Sequence, residues 1–233
     1  MANNIICACA LILGLATHTA AQGQTGGQID FDYALNHQEA YYNLPSVKGR
    51  FGMDLGGDWA AQIDFGISAL EGELDAPTFT LGGHLSYEVS PLLTLGGFAT
   101  GARFDSGSTY TFAGFEGRLA LGRVEISPYF MWATRRGTTT EITGVDLNLD
   151  LSQTLSIQAG GAMYDSGLPT EYTYYGASYQ FNERWSAHFR REDRRYDNRD
   201  YTSARSIIGI SYAFGSKVKL FERRDLSAFM PIF

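Results

Sequence analysis

Most of the chain alternates between apolar and polar residues at every second position. In QIDFDYAL, Ile29 and Phe31 flank Asp30. The same period of two recurs in WAAQIDF, 59–65, and in VDLNLD, 145–150. Because successive side chains of a β-strand point to opposite faces, this period predicts strands with one face against an apolar medium and the other against a polar one.

Twelve such segments can be traced along the chain. They lie near 28–36, 46–55, 59–67, 78–89, 92–104, 109–121, 123–133, 140–150, 153–164, 171–181, 185–195 and 203–214. An even number of strands that fills nearly the whole chain predicts an all-β fold. Soluble β-sandwiches and lipocalin-like barrels usually have seven to nine strands, so twelve argues against both.

The breaks between the strands alternate in length. Tight turns are predicted at GGD 56–58, SP 90–91, GR 122–123, LSQ 151–153 and NER 182–184. Longer polar stretches lie between them, namely NHQEAYYNLP, SALEGELDAP, DSGST, RRGTTT, DSGLPTE and YDNRDYTS. Short turns at one end and longer loops at the other are typical of a transmembrane antiparallel β-barrel with short periplasmic turns and longer extracellular loops. Both chain ends then belong to the periplasmic side.

Aromatic residues concentrate near both ends of the predicted strands. Trp59, Phe181, Trp185 and Phe214 lie beside short turns. The residues near the longer loops are Tyr110, Phe112, Phe130, Trp132, Tyr172, Tyr174 and Tyr175. Aromatic side chains are enriched at both membrane–water interfaces, so these two groups predict two aromatic girdles.

Composition narrows the class further. Charged residues make up 18% and aromatic residues 14%, which disfavours disorder and a helical bundle. The formal net charge of −7 argues against nonspecific nucleic-acid binding, which needs a basic surface.

The first segment predicts export. Residues 5–16, IICACALILGLA, are apolar but too short to span a bilayer as a helix, and small residues follow them. We predict a signal peptide over 1–21, cleaved after Ala21. Both cysteines lie inside it, so the exported chain would have no disulfide and no thiol chemistry.

The segment SIIGISYAF, 206–214, alternates up to an aromatic residue, as the closing strand of bacterial outer-membrane barrels commonly does. With the preceding pattern, the chain resembles a Gram-negative porin-like outer-membrane barrel. It is most similar to the small twelve-stranded class that includes acidic-oligosaccharide channels. The resemblance implies a barrel over 22–214 in the bacterial outer membrane. Its expected partners are outer-membrane lipid and lipopolysaccharide, the outer-membrane assembly machinery, and small hydrophilic solutes.

Charged residues alternate with the apolar belt, and charges on the lipid face would be costly. They are therefore expected to face the lumen. The predicted pore-lining residues are Lys48, Arg50, Arg118, Arg190, Arg194, Arg205, Asp30, Asp32, Asp64, Glu116 and Asp146. Barrel closure brings the basic strands two, eleven and twelve together, facing mainly acidic strands. Such walls form a transverse field that sorts solutes, or alternatively form salt bridges that fill the barrel.

Three functions remain open at this stage. The pattern favours a channel for passive diffusion of small hydrophilic solutes, with a nonconducting structural or adhesive barrel as the alternative. A hydrolase is less favoured, because His37, His84 and His188 lie in no recognisable catalytic motif. No cofactor and no metal site is predicted.

The end of the chain departs from the usual pattern. Phe214 is expected to end the barrel, since the true terminus carries Pro231, which cannot donate to a strand ladder. Residues 215–233 are predicted to form a periplasmic tail or to fold back into the mouth of the lumen. Apolar residues at helical spacing within 226–233 suggest a short amphipathic helix.

Overall fold

The chain folds into a closed twelve-stranded antiparallel barrel. The computed structural model describes residues 24–37, 44–70, 73–103, 109–165, 171–196, 201–216 and 220–221. The predicted signal peptide and the predicted helix within 226–233 lie outside these residues. The strands are β1 (Thr25–Asn36), β2 (Leu44–Gly56), β3 (Trp59–Leu70), β4 (Glu73–Ser90), β5 (Leu93–Arg103), β6 (Thr109–Leu121), β7 (Val124–Arg135), β8 (Thr138–Asp150), β9 (Leu155–Tyr164), β10 (Glu171–Gln180), β11 (Trp185–Tyr196) and β12 (Tyr201–Gly215).

Each strand pairs with its neighbours in sequence, and β12 pairs with β1 to close the barrel. The predicted all-β antiparallel barrel is thus confirmed. We call the end that carries the connections β2–β3, β4–β5, β6–β7, β8–β9 and β10–β11 the short-turn end, and the opposite end the long-loop end. In the described ranges, no helix is long and apolar enough to cross a membrane.

Two predicted loops turn out to be mostly strand. In SALEGELDAP, β3 continues to Leu70 and pairs with Glu73 at the start of β4. In RRGTTT, the connection from β7 to β8 is only Arg136 and Gly137, with φ angles of 48° and 84°. Two consecutive positive φ angles match the twist of a tight hairpin. The threonines that follow favour the extended conformation, so β8 begins at Thr138.

The outer face of the barrel is an apolar belt. Phe31 is 50% exposed, Leu81 64% and Ile210 49%, and their neighbours in sequence point inward. In these strands, the residues predicted to face an apolar medium therefore lie on the outer face of the barrel. At the short-turn end, Trp59 packs on Tyr87 at 5.0 Å and Trp185 on Tyr212 at 4.8 Å between ring centroids. A belt bounded by aromatic pairs is typical of a barrel surrounded by lipid.

The seam between β1 and β12 depends on a glycine. The pairing runs from Gly26 with Gly215 to Asn36 with Arg205. On the outer face, the Phe214 ring stacks on Phe51, with 6.5 Å between centroids. It lies over Gly27, where a Cβ atom would come within 2.6 Å of it. Only glycine at position 27 leaves room for the ring. Phe214 therefore covers the last residue pairs between β1 and β12.

The long-loop half of the lumen holds an apolar core. Its buried members come from β5 to β10 and are Phe98, Ala102, Tyr110, Phe112, Tyr129, Met131, Ile142, Ala162, Tyr164 and Tyr172. This corrects the predicted outer girdle, because Tyr110, Phe112, Tyr172 and Tyr174 face inward. Of the seven residues assigned to that girdle, Phe130, Trp132 and Tyr175 alone lie on the outer face.

Candidate functional site

The structure places all eleven predicted lumen residues on inward positions, in three groups, of which the first two share Arg190. Six lie along one cavity: Asp30, Asp32, Lys48, Arg50, Asp146 and Arg190. Arg194 and Arg205 join Arg190 around an acidic residue, Glu192, towards the long-loop end. Asp64 and Glu116 flank His84 on the opposite wall, with Arg118 nearby.

The cavity is polar and has a volume of about 290 Å³. It is bounded by β1 and β2 and by β7 to β12, mainly in the short-turn half. Since β2 and β8 are diametrically opposed in a ring of twelve strands, Lys48 and Arg50 face Asp146 across it. Basic and acidic side chains thus lie on opposite sides of the cavity.

Charges are also compensated within each wall. Lys48 Nζ lies 2.9 Å from Asp32 Oδ2. The Arg190 guanidinium lies 4.7 Å from the centre of the Tyr174 ring, whose hydroxyl donates a 2.8 Å hydrogen bond to Asp146. The field across the cavity is therefore weaker than the predicted basic and acidic walls imply, because Lys48 has an acid close by and Arg190 has a π-face close by.

A hydrogen-bonded chain of three side chains lines the same cavity. His188 Nε2 lies 2.9 Å from Asp32 Oδ1, and His188 Nδ1 lies 3.2 Å from the Ser211 hydroxyl. Asp32 and His188 meet across β12 because Gly209 lies between them, where a Cβ atom would overlap both side chains. Both ring nitrogens thus have a hydrogen-bonding partner.

The second group centres on Glu192, whose side chain is fully buried. The Arg205 Nε donates to Glu192 Oε2, and Arg194 Nη2 lies 3.8 Å from the same oxygen. Arg190 Nη1 approaches the other carboxylate oxygen at 3.7 Å. One carboxylate thus compensates three guanidinium groups. Glu192 belongs to the arginine-rich stretch FRREDRR, where mutual neutralisation of acids and bases is expected, but the sequence does not show which acid contacts which arginines.

The third group is an imidazole between two carboxylates. His84 Nε2 lies 2.8 Å from Asp64 Oδ2, and His84 Nδ1 lies 2.5 Å from Glu116 Oε1. All three side chains are at most 5% exposed. Both ring nitrogens donate when the imidazole is protonated, and this form satisfies both carboxylates. The three residues come from β3, β4 and β6, so β6 is tied to β4 across β5.

The chain after β12 re-enters the lumen at this third group. Phe221 is 3% exposed, and its ring is parallel to His84 with 6.2 Å between centroids. The Phe221 amide donates to Gln62 Oε1 at 2.8 Å, and its carbonyl accepts from Arg50 at 3.1 Å. Leu220 and Phe221 therefore occupy part of the interior next to β2–β6.

Metal binding finds no support in the described residues, where no three histidine, cysteine or acidic side chains are arranged to hold an ion. The polar groups instead contact one another or the backbone of Leu220 and Phe221. What the lumen offers a ligand is hydrogen bonding and charge around the cavity.

A twelve-stranded closed barrel with an apolar outer belt and a polar cavity has the architecture of outer-membrane porins. The solved KdgM porin in complex with disordered oligogalacturonate superposes with a TM-score of 0.61, at 9% identity over 80% of this chain and 99% of that chain. The NanC porin superposes with a TM-score of 0.58, at 8% identity over 79% of this chain and 98% of that chain. At such identities the likeness shows the fold.

No protein-family model and no curated protein sequence matches the chain.

Proposed function

We propose that the protein is a porin-like channel of the bacterial outer membrane for passive diffusion of small hydrophilic solutes. The observation that supports this proposal most directly is the polar cavity of about 290 Å³ inside a barrel with an apolar outer belt. The apolar belt fits outer-membrane lipid and lipopolysaccharide, and insertion would use the outer-membrane assembly machinery. The two similar solved structures reported above are porins, which supports the same function.

The proposal is tested by ion conductance of the purified protein in planar lipid bilayers. Discrete current steps in simple salts are expected, because hydrated ions are smaller than the solutes proposed. Absence of current in every salt tried would contradict the channel function. Heat-dependent mobility on SDS gels provides the control that the tested protein is a folded barrel.

Charge preference should depend on Arg190. Its side chain lines the cavity, whereas that of Arg191 points outward and pairs with Asp193 at 3.5 Å. We expect Arg190→Gln to shift the reversal potential in a salt gradient towards cation preference, since a positive charge leaves the solute path. The matched variant Arg191→Gln should leave it unchanged. Equal shifts in both variants would show that the cavity is not the conducting path.

A nonconducting structural barrel is the second candidate, and the apolar core of the long-loop half supports it. Phe112 and Met131 are fully buried within the lumen. We expect Phe112→Ala to lower the free energy of unfolding by about 3–5 kcal/mol, the usual cost of emptying a buried aromatic site. Urea titration measures this loss. If the unmodified protein is silent in bilayers and Phe112→Ala conducts, the core closes the barrel and the structural function is the correct one.

The proposed function assigns no catalytic step to the lumen, although Asp32, His188 and Ser211 are hydrogen-bonded in a row. The backbone around Ser211 pairs with β1 and β11, so its amides are committed to the sheet. Any oxyanion stabilisation would have to come from side chains. The hydrolase alternative predicts ester turnover that is lost in His188→Ala, and a chromogenic ester assay decides it.

A further inference from the structure

Leu220 and Phe221, which lie in the lumen after β12, are held by side chains rather than by strand pairing. We call these two residues the segment. Gln62 contacts both the amide and the carbonyl of Phe221, at 2.8 and 3.2 Å. Arg50 donates to the same carbonyl, and Arg118 Nη1 donates to the Leu220 carbonyl at 3.2 Å. Four hydrogen bonds from three strands of the wall therefore contact two adjacent residues of the segment.

The Phe221 ring occupies a site formed by side chains and backbone of the barrel wall. The His84 ring is parallel to it, and the carbon of the Arg118 guanidinium lies over it, 5.3 Å from the ring centre. Beneath it is Gly96, where a Cβ atom would come within 3.0 Å of the ring. The ring thus contacts a cationic group and the bare backbone of a glycine, and the imidazole is parallel to it. These are the features of a binding site for an aromatic residue.

The wall around this site is itself fixed. His84 is held on both sides by Asp64 and Glu116, and Arg118 also donates to Thr94 Oγ1 at 3.3 Å. Gln62 donates to Asp64 Oδ1 at 2.8 Å. A wall whose side chains contact one another is organised independently of the segment, so the segment can leave without removing the wall's internal hydrogen bonds.

We propose that Leu220 and Phe221 form an internal ligand of the lumen that occludes the side next to β2–β6 and confines solutes to the cavity on the other side. This occlusion rests on the proposed channel function, whereas the docking site does not. Because the segment has no strand partner at this site, its release exposes Gln62, Arg118 and His84 and widens the path. The occupant is the pair Leu220 and Phe221 of the same chain.

Single-channel conductance of full-length variants tests the occlusion. Phe221→Ala removes the ring, and Gly96→Val leaves the segment intact but fills the space beneath the ring. Each is expected to raise the conductance roughly twofold, since conductance follows the width of the narrowest part of a pore. Gly97→Val is the matched control, because Gly97 follows Gly96 but faces outward, and the nearest atom to its added Cβ is 3.7 Å away.

A second measurement does not depend on current. In a background with Cys7→Ser and Cys9→Ser, Ser86→Cys places a thiol on the strand partner of Gly96. Ser86 is 8% exposed. Labelling by a small water-soluble thiol reagent should be at least several-fold faster when Phe221→Ala is added.

The outcomes separate the two ideas. Raised conductance and faster labelling support the internal ligand. Unchanged conductance in Phe221→Ala, with a conducting unmodified protein, overturns the occlusion, and unchanged labelling overturns the docking site. If no variant conducts but labelling accelerates, the channel function fails while the docking site stands.

Discussion

Replacement of Glu192 by glutamine should lower the free energy of unfolding by about 3–5 kcal/mol, the usual loss when one member of a buried ion pair is removed. The Glu192 side chain is fully buried, and those of Arg194 and Arg205 are 3% and 7% exposed. Glutamine keeps the size of the side chain but removes the charge that compensates its arginine neighbours. Their positive charges would then repel one another in a poorly hydrated part of the lumen.

The chain supplies a matched control at the next position. Asp193 points outward, is 48% exposed and pairs with Arg191 at 3.5 Å, so Asp193→Asn should cost less than about 1 kcal/mol. Urea titration in detergent micelles, followed by tryptophan fluorescence, compares the two variants. Equal stability of Glu192→Gln and Asp193→Asn would show that Glu192 is not needed to compensate the arginines.

A chain that ends at Ser216 should still assemble, whereas one that ends at Gly209 should not. The first retains all eleven residue pairs between β1 and β12 and the 2.8 Å bond from the Ser216 amide to the Thr25 carbonyl. The second loses six of those pairs, from Phe31–Ile210 to Gly26–Gly215. It leaves the edge of β1 open, and unpaired backbone groups at an open edge are not tolerated within a membrane.

Refolding into lipid vesicles measures this difference, with the heat-dependent mobility shift of a folded barrel as the readout. The chain that ends at Ser216 lacks the buried contacts of Phe221. Some loss of stability is therefore expected, but no loss of assembly. Failure of this chain to fold would mean that residues beyond Ser216 are needed for insertion, and that Phe214 is not sufficient to close the barrel.

The fold was predictable because the same pattern repeats in every strand. A period of two separates lipid-facing from lumen-facing residues, and it does so without any knowledge of the partner strand. Strand boundaries followed from the turns, except at two hairpins whose strands extend into the predicted loops, at Leu70 and Glu73 and at Arg136 and Gly137.

For several aromatic residues, the face of the barrel on which they lie could have been predicted but was not. Tyr110 and Phe112 have the same parity on β6 as Glu116 and Arg118, which were assigned to the lumen. Proximity to a loop suggested an interface girdle, whereas parity indicates the interior. Parity is the stronger signal, because a one-residue error would move every charge of the strand into lipid.

The contacts of the lumen needed the structure. Asp32 and His188 are 156 residues apart, and Arg118 and Leu220 are 102 apart. Their meeting depends on the register of the strands, which decides which glycine lies between two such side chains. A single sequence does not show this register. The sequence indicated which side chains face inward, but not that Glu192 compensates three arginines or that His84 lies between two acids.

Gly209 has a mechanical consequence for the barrel. The Asp32–His188 bond passes over it and joins β1 to β11, just as the Tyr174–Asp146 bond passes over Gly160 and joins β10 to β8. Each such bond braces a strand against the second strand along, inside the cylinder, in addition to the ladders of the wall. Bracing across alternate strands resists ovalisation, so the cross-section of the lumen depends on where the chain carries glycine.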